Sequence, residues 1–137
     1  MKGLGRVYNV VPAASGVHIP LKGANAISFF TYEDDGTTIA TIKSSIDGAS
    51  EAALDCDVYP HKGPGIGGTW TAMAEQDDTL ALGTDATNDA MVFTIDATQL
   101  PDGHNCVEVT VDGGICIALT HDLVVQRKPS NLASSVV

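Results

Sequence analysis

The chain has 137 residues, with 17 Asp or Glu against 7 Lys or Arg, for a formal charge of −10 at pH 7. That length suits one domain with a core of its own, and so acidic a chain is a poor match for nucleic-acid phosphates or an anionic bilayer, so neither is an expected partner. The opening residues lack the apolar stretch of a secretory signal, and no run approaches the ~18 apolar residues of a membrane span, so the chain, with its initiator Met1, is expected to be a complete product made and left in a cytoplasm.

Residues 1–25 read as a flexible N-terminal arm. They carry Lys2, Arg6 and Lys22 and no carboxylate, and residues 12–25 look irregular around Pro12 and Pro20. Within and beyond the arm, ten segments rich in Val, Ile, Thr, Phe and Tyr read as strands: Arg6–Val11, Ala26–Tyr32, Thr37–Ser44, Ala53–Tyr59, Thr69–Ala74, Thr79–Leu82, Met91–Ile95, Cys106–Val111, Ile115–Thr120 and Asp122–Gln126. Turn signals separate them at Asp35-Gly36, Asp47-Gly48, Gly63-Pro64-Gly65, Pro101-Asp102-Gly103 and Asp112-Gly113-Gly114. Helix signals are confined to a possible turn at Ser50–Leu54 and a capped turn at Asp96–Leu100.

Alternation is clearest late in the chain. Val107, Val109 and Val111 oppose Cys106, Glu108 and Thr110, and Ile115, Ile117 and Leu119 oppose Cys116, Ala118 and Thr120. A period of two with one polar face predicts antiparallel sheet solvated on one side. The Asp112-Gly113-Gly114 connection reads as the best hairpin in the chain, because glycine supplies the positive φ of a tight turn. About ten short strands predict an all-β domain, an antiparallel β-sandwich of Ig-like or jelly-roll-like kind or a small barrel. The uncharged tail 129–137 reads as a second flexible arm, its closing Val136 and Val137 suited to pairing with a neighbour's sheet edge or to fraying.

The chemistry-bearing residues form no motif. His104, Cys106, Cys116 and His121 have the wrong spacing for zinc and diverge on a hairpin, so no metal site is expected. Three cysteines at uneven spacing read as reduced thiols. The aspartates between 55 and 89 lack the order of a calcium loop, and Gly63–Gly68 is followed by Thr69-Trp70 where a phosphate loop needs Lys and a helix. Ser15, Ser44, Ser45, His18, His121 and Asp122 include no G-x-S-x-G, and Glu33, Asp34 and Asp35 read as solvated turn residues. Trp70, Tyr59 and Tyr32 would make a sugar platform, although a single tryptophan in a sandwich usually belongs to its core. No enzymatic activity, catalytic residue or cofactor is expected.

All 17 acidic residues lie between Glu33 and Asp122, and five of the seven cations lie outside that span. An acidic body with cationic ends suits a module that docks by its termini on something negative. In this setting the stretch Ala24-Asn-Ala-Ile-Ser-Phe-Phe-Thr-Tyr-Glu-Asp-Asp-Gly-Thr-Thr-Ile-Ala-Thr-Ile-Lys43 and the tail Val125-Gln-Arg-Lys-Pro-Ser-Asn-Leu132 resemble small virion proteins of actinobacteriophages. The chain as a whole is similar to capsid decoration proteins of tailed bacteriophages. That resemblance implies a non-enzymatic structural protein on the outside of an icosahedral shell, bound to the major capsid protein, often as a trimer or other homo-oligomer. On this reading residues 1–25 and 123–137 make the attachment, with Lys2, Arg6, Tyr8, Arg127, Lys128, Val136 and Val137 as partner-binding residues. The alternatives are a carbohydrate- or cell-surface-binding sandwich of a phage tail or fibre, using Trp70, Tyr59 and the Gly63–Gly68 loop, and a tail-tube or connector protein.

Overall fold

The computed structural model describes residues 9–34, 38–55, 57–63, 68–81, 89–124 and 137. Within them run eleven strands: β1 Asn9–Ala13, β2 Ile19–Pro20, β3 Ala24–Tyr32, β4 Ile39–Ile46, β5 Ala49–Ala53, β6 His61–Gly63, β7 Thr71–Ala72, β8 Thr79–Ala81, β9 Ala90–Asp96, β10 Cys106–Val111 and β11 Ile115–Leu123. One 3-10 turn, Ala97–Gln99, follows β9 with Asp96 as its N-cap, and the Gln99 side chain accepts the Asp96 N–H at 2.8 Å. No helix among the described residues is long and apolar enough to cross a membrane.

The strands form two antiparallel sheets packed face to face, an open β-sandwich with no closed barrel. The first sheet has the order β1-β11-β3-β9-β6-β7. The second has the order β2-β10-β4-β5, and β8 pairs with the free half of the β4 edge. The core lies between them. Ile27 and Phe29 on β3 and Met91, Phe93 and Ile95 on β9 meet Ala40 and Ile42 on β4 and Val107 and Val109 on β10. Phe29 and Phe93 are direct cross-strand partners with ring centroids 5.2 Å apart, the largest fully buried pair.

Several expectations change. The Val111–Ile115 connection is not a hairpin, because β10 pairs with β4 and β2 while β11 pairs with β1 and β3. Asp112-Gly113-Gly114 instead carries the chain from one sheet to the other, directly over Tyr32 and Glu33. A side chain at Gly113 would collide with the Glu33 carboxylate, and one at Gly114 (φ 71°) with the Tyr32 carbonyl. A tight hairpin does join β4 to β5, through Asp47 and Gly48, both at positive φ.

Ser50–Leu54 is not helical, since it falls mostly on β5. The expected strand 53–59 is reduced to an isolated bridge between Val58 and Gln76. The expected arm also shortens. Residues 9–25 belong to the body, with Ile19 fully buried and Leu21 and His18 nearly so. Trp70 is 45% exposed rather than part of the core.

The alternation on β11 is real but inverted. Cys116, Ala118 and Thr120 are buried, while Ile115 and Ile117 are exposed. Ala118 lies directly across from Phe29 in the ladder. The bulk of Phe29 and Phe93 fills that part of the interlayer space, so the neighbouring strand contributes a methyl group and turns its large residues out.

Gly114→Ala should destabilise the fold by about 3 kcal/mol through strain and overpacking. Gly23 also has positive φ (87°) but open space around it, so Gly23→Ala should cost only about 1 kcal/mol. Urea denaturation of the two variants measures the difference.

Candidate functional site

Period-two geometry fixes which side chains leave the sandwich. On the outside of the six-stranded sheet they form four cross-strand rows, of which the one at the end of the face, His121, Ala26 and Asp96, carries a carboxylate. Pro12, Ile117, Phe30, Val92 and His61 make the central row. Val10, Leu119, Ser28 and Thr94 lie on one side of it, and Ile115, Tyr32 and Ala90 on the other. Trp70 meets Phe30 edge-on, with centroids 6.4 Å apart, and leans over Gly63, where an added Cβ would sit 3.0 Å from its ring. Ile115, Val10, Trp70 and Ile117 are 54%, 48%, 45% and 38% exposed. The other three rows contain no Asp, Glu, Lys or Arg, in a chain of net charge −10. Charge depletion around aromatic and aliphatic side chains is the compositional mark of an interface centre.

At one end of this face, Ser28 Oγ lies 2.8 Å from His121 Nε2, and His121 Nδ1 lies 2.9 Å from Asp122 Oδ2. The connectivity is that of a serine–histidine–acid relay. Ser28, however, sits within β3, in ladder register with β11 on one side and β9 on the other. The neighbouring backbone N–H groups therefore serve the sheet and do not converge as an oxyanion hole. Ser28 also shares a 2.7 Å hydrogen bond with Thr94 Oγ1. The cluster fits a polar cross-strand brace.

The outside of the second sheet is built differently. Outward positions there bring together Ser45 and Lys43 of β4, Glu51 of β5, and Cys106 and Glu108 of β10. Residues 14–18, between β1 and β2, lie across this surface. Gly16, at φ 77°, donates its N–H to Glu108 Oε1 at 2.7 Å, and His18 follows with 7% exposure. Glu108 is thereby 2% exposed on the outer side of its strand. Thr110 also donates to Oε1, at 3.4 Å, whereas Oε2 is buried without a hydrogen-bond partner and lies 3.7 Å from His18 Nδ1. Ser45 Oγ is 3.1 Å from the same nitrogen. His18 Nε2 is 3.3 Å from Glu51 Oε1, and Glu51 Oε2 accepts from Lys43 Nζ at 2.9 Å. That hydrogen bond and ion pair hold the Glu51 carboxyl below its usual range and the Lys43 ammonium above its own. Both groups are solvated, so the pair orients more than it stabilises.

The sequence-derived sites are dispersed. His104 bonds Ser44 Oγ at 2.7 Å, Cys106 and Cys116 are buried in different sheets, and His121 belongs to the cluster with Ser28. Burial raises both thiols, Cys116 to about 12. Tyr59 is exposed and donates to Glu75, beside an open groove of about 450 Å³ that His61, Asp96 and Gln99 also line. Of the expected partner-binding residues, Lys2, Arg6, Tyr8, Arg127, Lys128 and Val136 lie outside the described residues. Val137 lies on the chain's own body, its N–H donating to the His18 carbonyl at 3.0 Å and its side chain facing Gly48.

Sequence reasoning placed His18 only among loose nucleophile partners and Glu51 in a helical turn. A glutamate inside Cys-Val-Glu-Val-Thr-Val was the one visible signal. Comparison with protein-family models, curated proteins and solved structures finds no match to this chain.

Two labelling outcomes follow. A fluorophosphonate should leave Ser28 unmodified, as read by intact mass. Iodoacetamide at pH 8 should modify neither Cys106 nor Cys116 in the native protein and both after guanidinium unfolding, because only the thiolate reacts.

Proposed function

We propose that this chain is a structural assembly module of the capsid-decoration kind, which binds the outside of a bacteriophage shell and stabilises it. The observation that carries this reading is the apolar centre of the outer face of the six-stranded sheet, three adjacent rows without Asp, Glu, Lys or Arg. Such a face on an otherwise strongly acidic body suits a protein partner that covers it. The resemblance read from residues 24–43 and 125–132 would make that partner the major capsid protein.

The proposed attachment has two parts. Ile115, Ile117, Val10 and Trp70 are desolvated against the shell and provide affinity. The cationic flanks, with Lys2, Arg6, Arg127 and Lys128, provide steering and a salt-dependent increment toward an acidic surface. A protein that binds the assembled shell better than free subunits stabilises the shell by that difference in affinity, and many copies on one shell multiply the effect. Self-association into a trimer would use part of the same face.

A second reading has its own support: the exposed Trp70 and the groove beside Tyr59 suit a sugar ring on an aromatic platform. Fluorescence of the single tryptophan during glycan titration separates the two.

Ile117→Asp should reduce binding to assembled, undecorated phage shells at least tenfold in a sedimentation assay, with the far-UV spectrum unchanged. Removing residues 1–8 should weaken binding less and flatten its salt dependence. Unchanged binding by Ile117→Asp overturns the role of the sheet face, and absence of shell binding by the intact chain overturns the function.

A further inference from the structure

We propose that His18, Glu51 and Glu108 form a binding site for one divalent transition-metal ion, of the class that accepts mixed imidazole and carboxylate ligands, such as Zn²⁺ or Mn²⁺.

Three elements distant in sequence converge on the site: the β1–β2 connection, β5 and β10. One donor atom from each residue lies within 4.8 Å of the other two. An ion with bonds of roughly 2.1 Å gathers its donors to roughly 3.4–4.2 Å apart. Glu51 is the solvated member, so its side chain can turn toward an ion without disturbing the core.

The carboxylates are prepared in the same way. Glu108 has Oε1 fixed by the Gly16 N–H and the Thr110 hydroxyl, while Oε2, buried and without a hydrogen bond, points to His18. Glu51 has Oε2 fixed by Lys43, while Oε1 points to His18. One oxygen of each is thus held by an outer partner and the other is left for a ligand. Outer hydrogen bonds orient metal-binding carboxylates in this manner.

Charge argues in the same direction. Two carboxylates and one lysine surround His18, and the Lys43 ammonium, although it feels the Glu108 charge, makes its hydrogen bond and ion pair with Glu51. A buried carboxylate needs compensation, and metal coordination supplies it. The carboxylates face different ring nitrogens, Glu108 Oε2 at Nδ1 and Glu51 Oε1 at Nε2. Ser45 Oγ, 3.1 Å from Nδ1, holds that nitrogen by a hydrogen bond and leaves Nε2 for the ion, which Glu108 then meets from the Nδ1 side of the ring. The alternative compensation is a proton on His18, with no ion bound.

The test is calorimetric titration of the chelator-treated full chain with ZnCl₂ and, separately, MnCl₂. Mn²⁺ has little affinity for thiols, so it discounts the cysteines. A single saturable site is expected, lost in Glu108→Gln and His18→Ala and weakened at least tenfold in Glu51→Gln. Circular dichroism checks the fold of each variant. Glu51 is solvated, so Glu51→Gln remains decisive even where Glu108→Gln fails to fold. The proposal is overturned if neither ion binds saturably, as it would be were a proton the only compensation. It is equally overturned if Zn²⁺ alone binds and all three variants bind it as the intact chain does.

Discussion

The passage of the chain over Tyr32 at Gly113 and Gly114 governs the rest of the molecule. Had Val111 and Ile115 closed a hairpin, β10 and β11 would have lain side by side in one sheet with their isoleucines and valines on a common side. Because the chain changes layer there, β10 and β11 present their faces independently. β10 turns its valines in and Glu108 out, whereas β11 turns Cys116 and Ala118 in and Ile115 and Ile117 out. Each sheet consequently acquires an exterior of its own chemistry, one apolar and one acidic. Glycine is required because the crossing leaves no volume for a Cβ against the Tyr32 carbonyl and the Glu33 carboxylate.

How far the sequence carried depends on whether the deciding interaction was local. The bounds of β10 read directly from Cys-Val-Glu-Val-Thr-Val, since period-two alternation is a property of neighbours. The Asp96 turn was legible for the same reason, its cap and Gln99 being three residues apart. The hairpin at Asp112-Gly113-Gly114 was misread because turn chemistry reports positive φ and says nothing about which strand the exit pairs with. The split between Thr120 and Asp122 was also misread, because Asp122 at φ 53° interrupts the ladder without ending β11.

The sites were less legible than the fold, and for a stronger reason. The burial of Glu108 depends on Gly16, which is 92 residues away, and nothing in either segment announces the other. The apolar sheet face was hidden by an assumption that is usually sound, that the larger side of an alternating strand faces the core. It fails here because Phe29 and Phe93 have already filled the interlayer space opposite Ala118.

The two exteriors also differ in what keeps them in place. An apolar face in water costs free energy that a single copy recovers only by covering it, so such a surface persists where something covers it. A buried carboxylate is a different liability. Replacing it with a hydrophobic residue of similar volume is often neutral or stabilising, so its presence is weak evidence of a role in stability. Glu108 is moreover held at one oxygen and left open at the other, whereas a purely structural glutamate would be served best by two satisfied oxygens. His18 ties this half-satisfied group to the loop that covers it, and the Val137 N–H bonds the His18 carbonyl. Whatever charge settles beside Glu108 therefore acts on the β1–β2 connection and on the end of the chain together, on the opposite side of the sandwich from the apolar face.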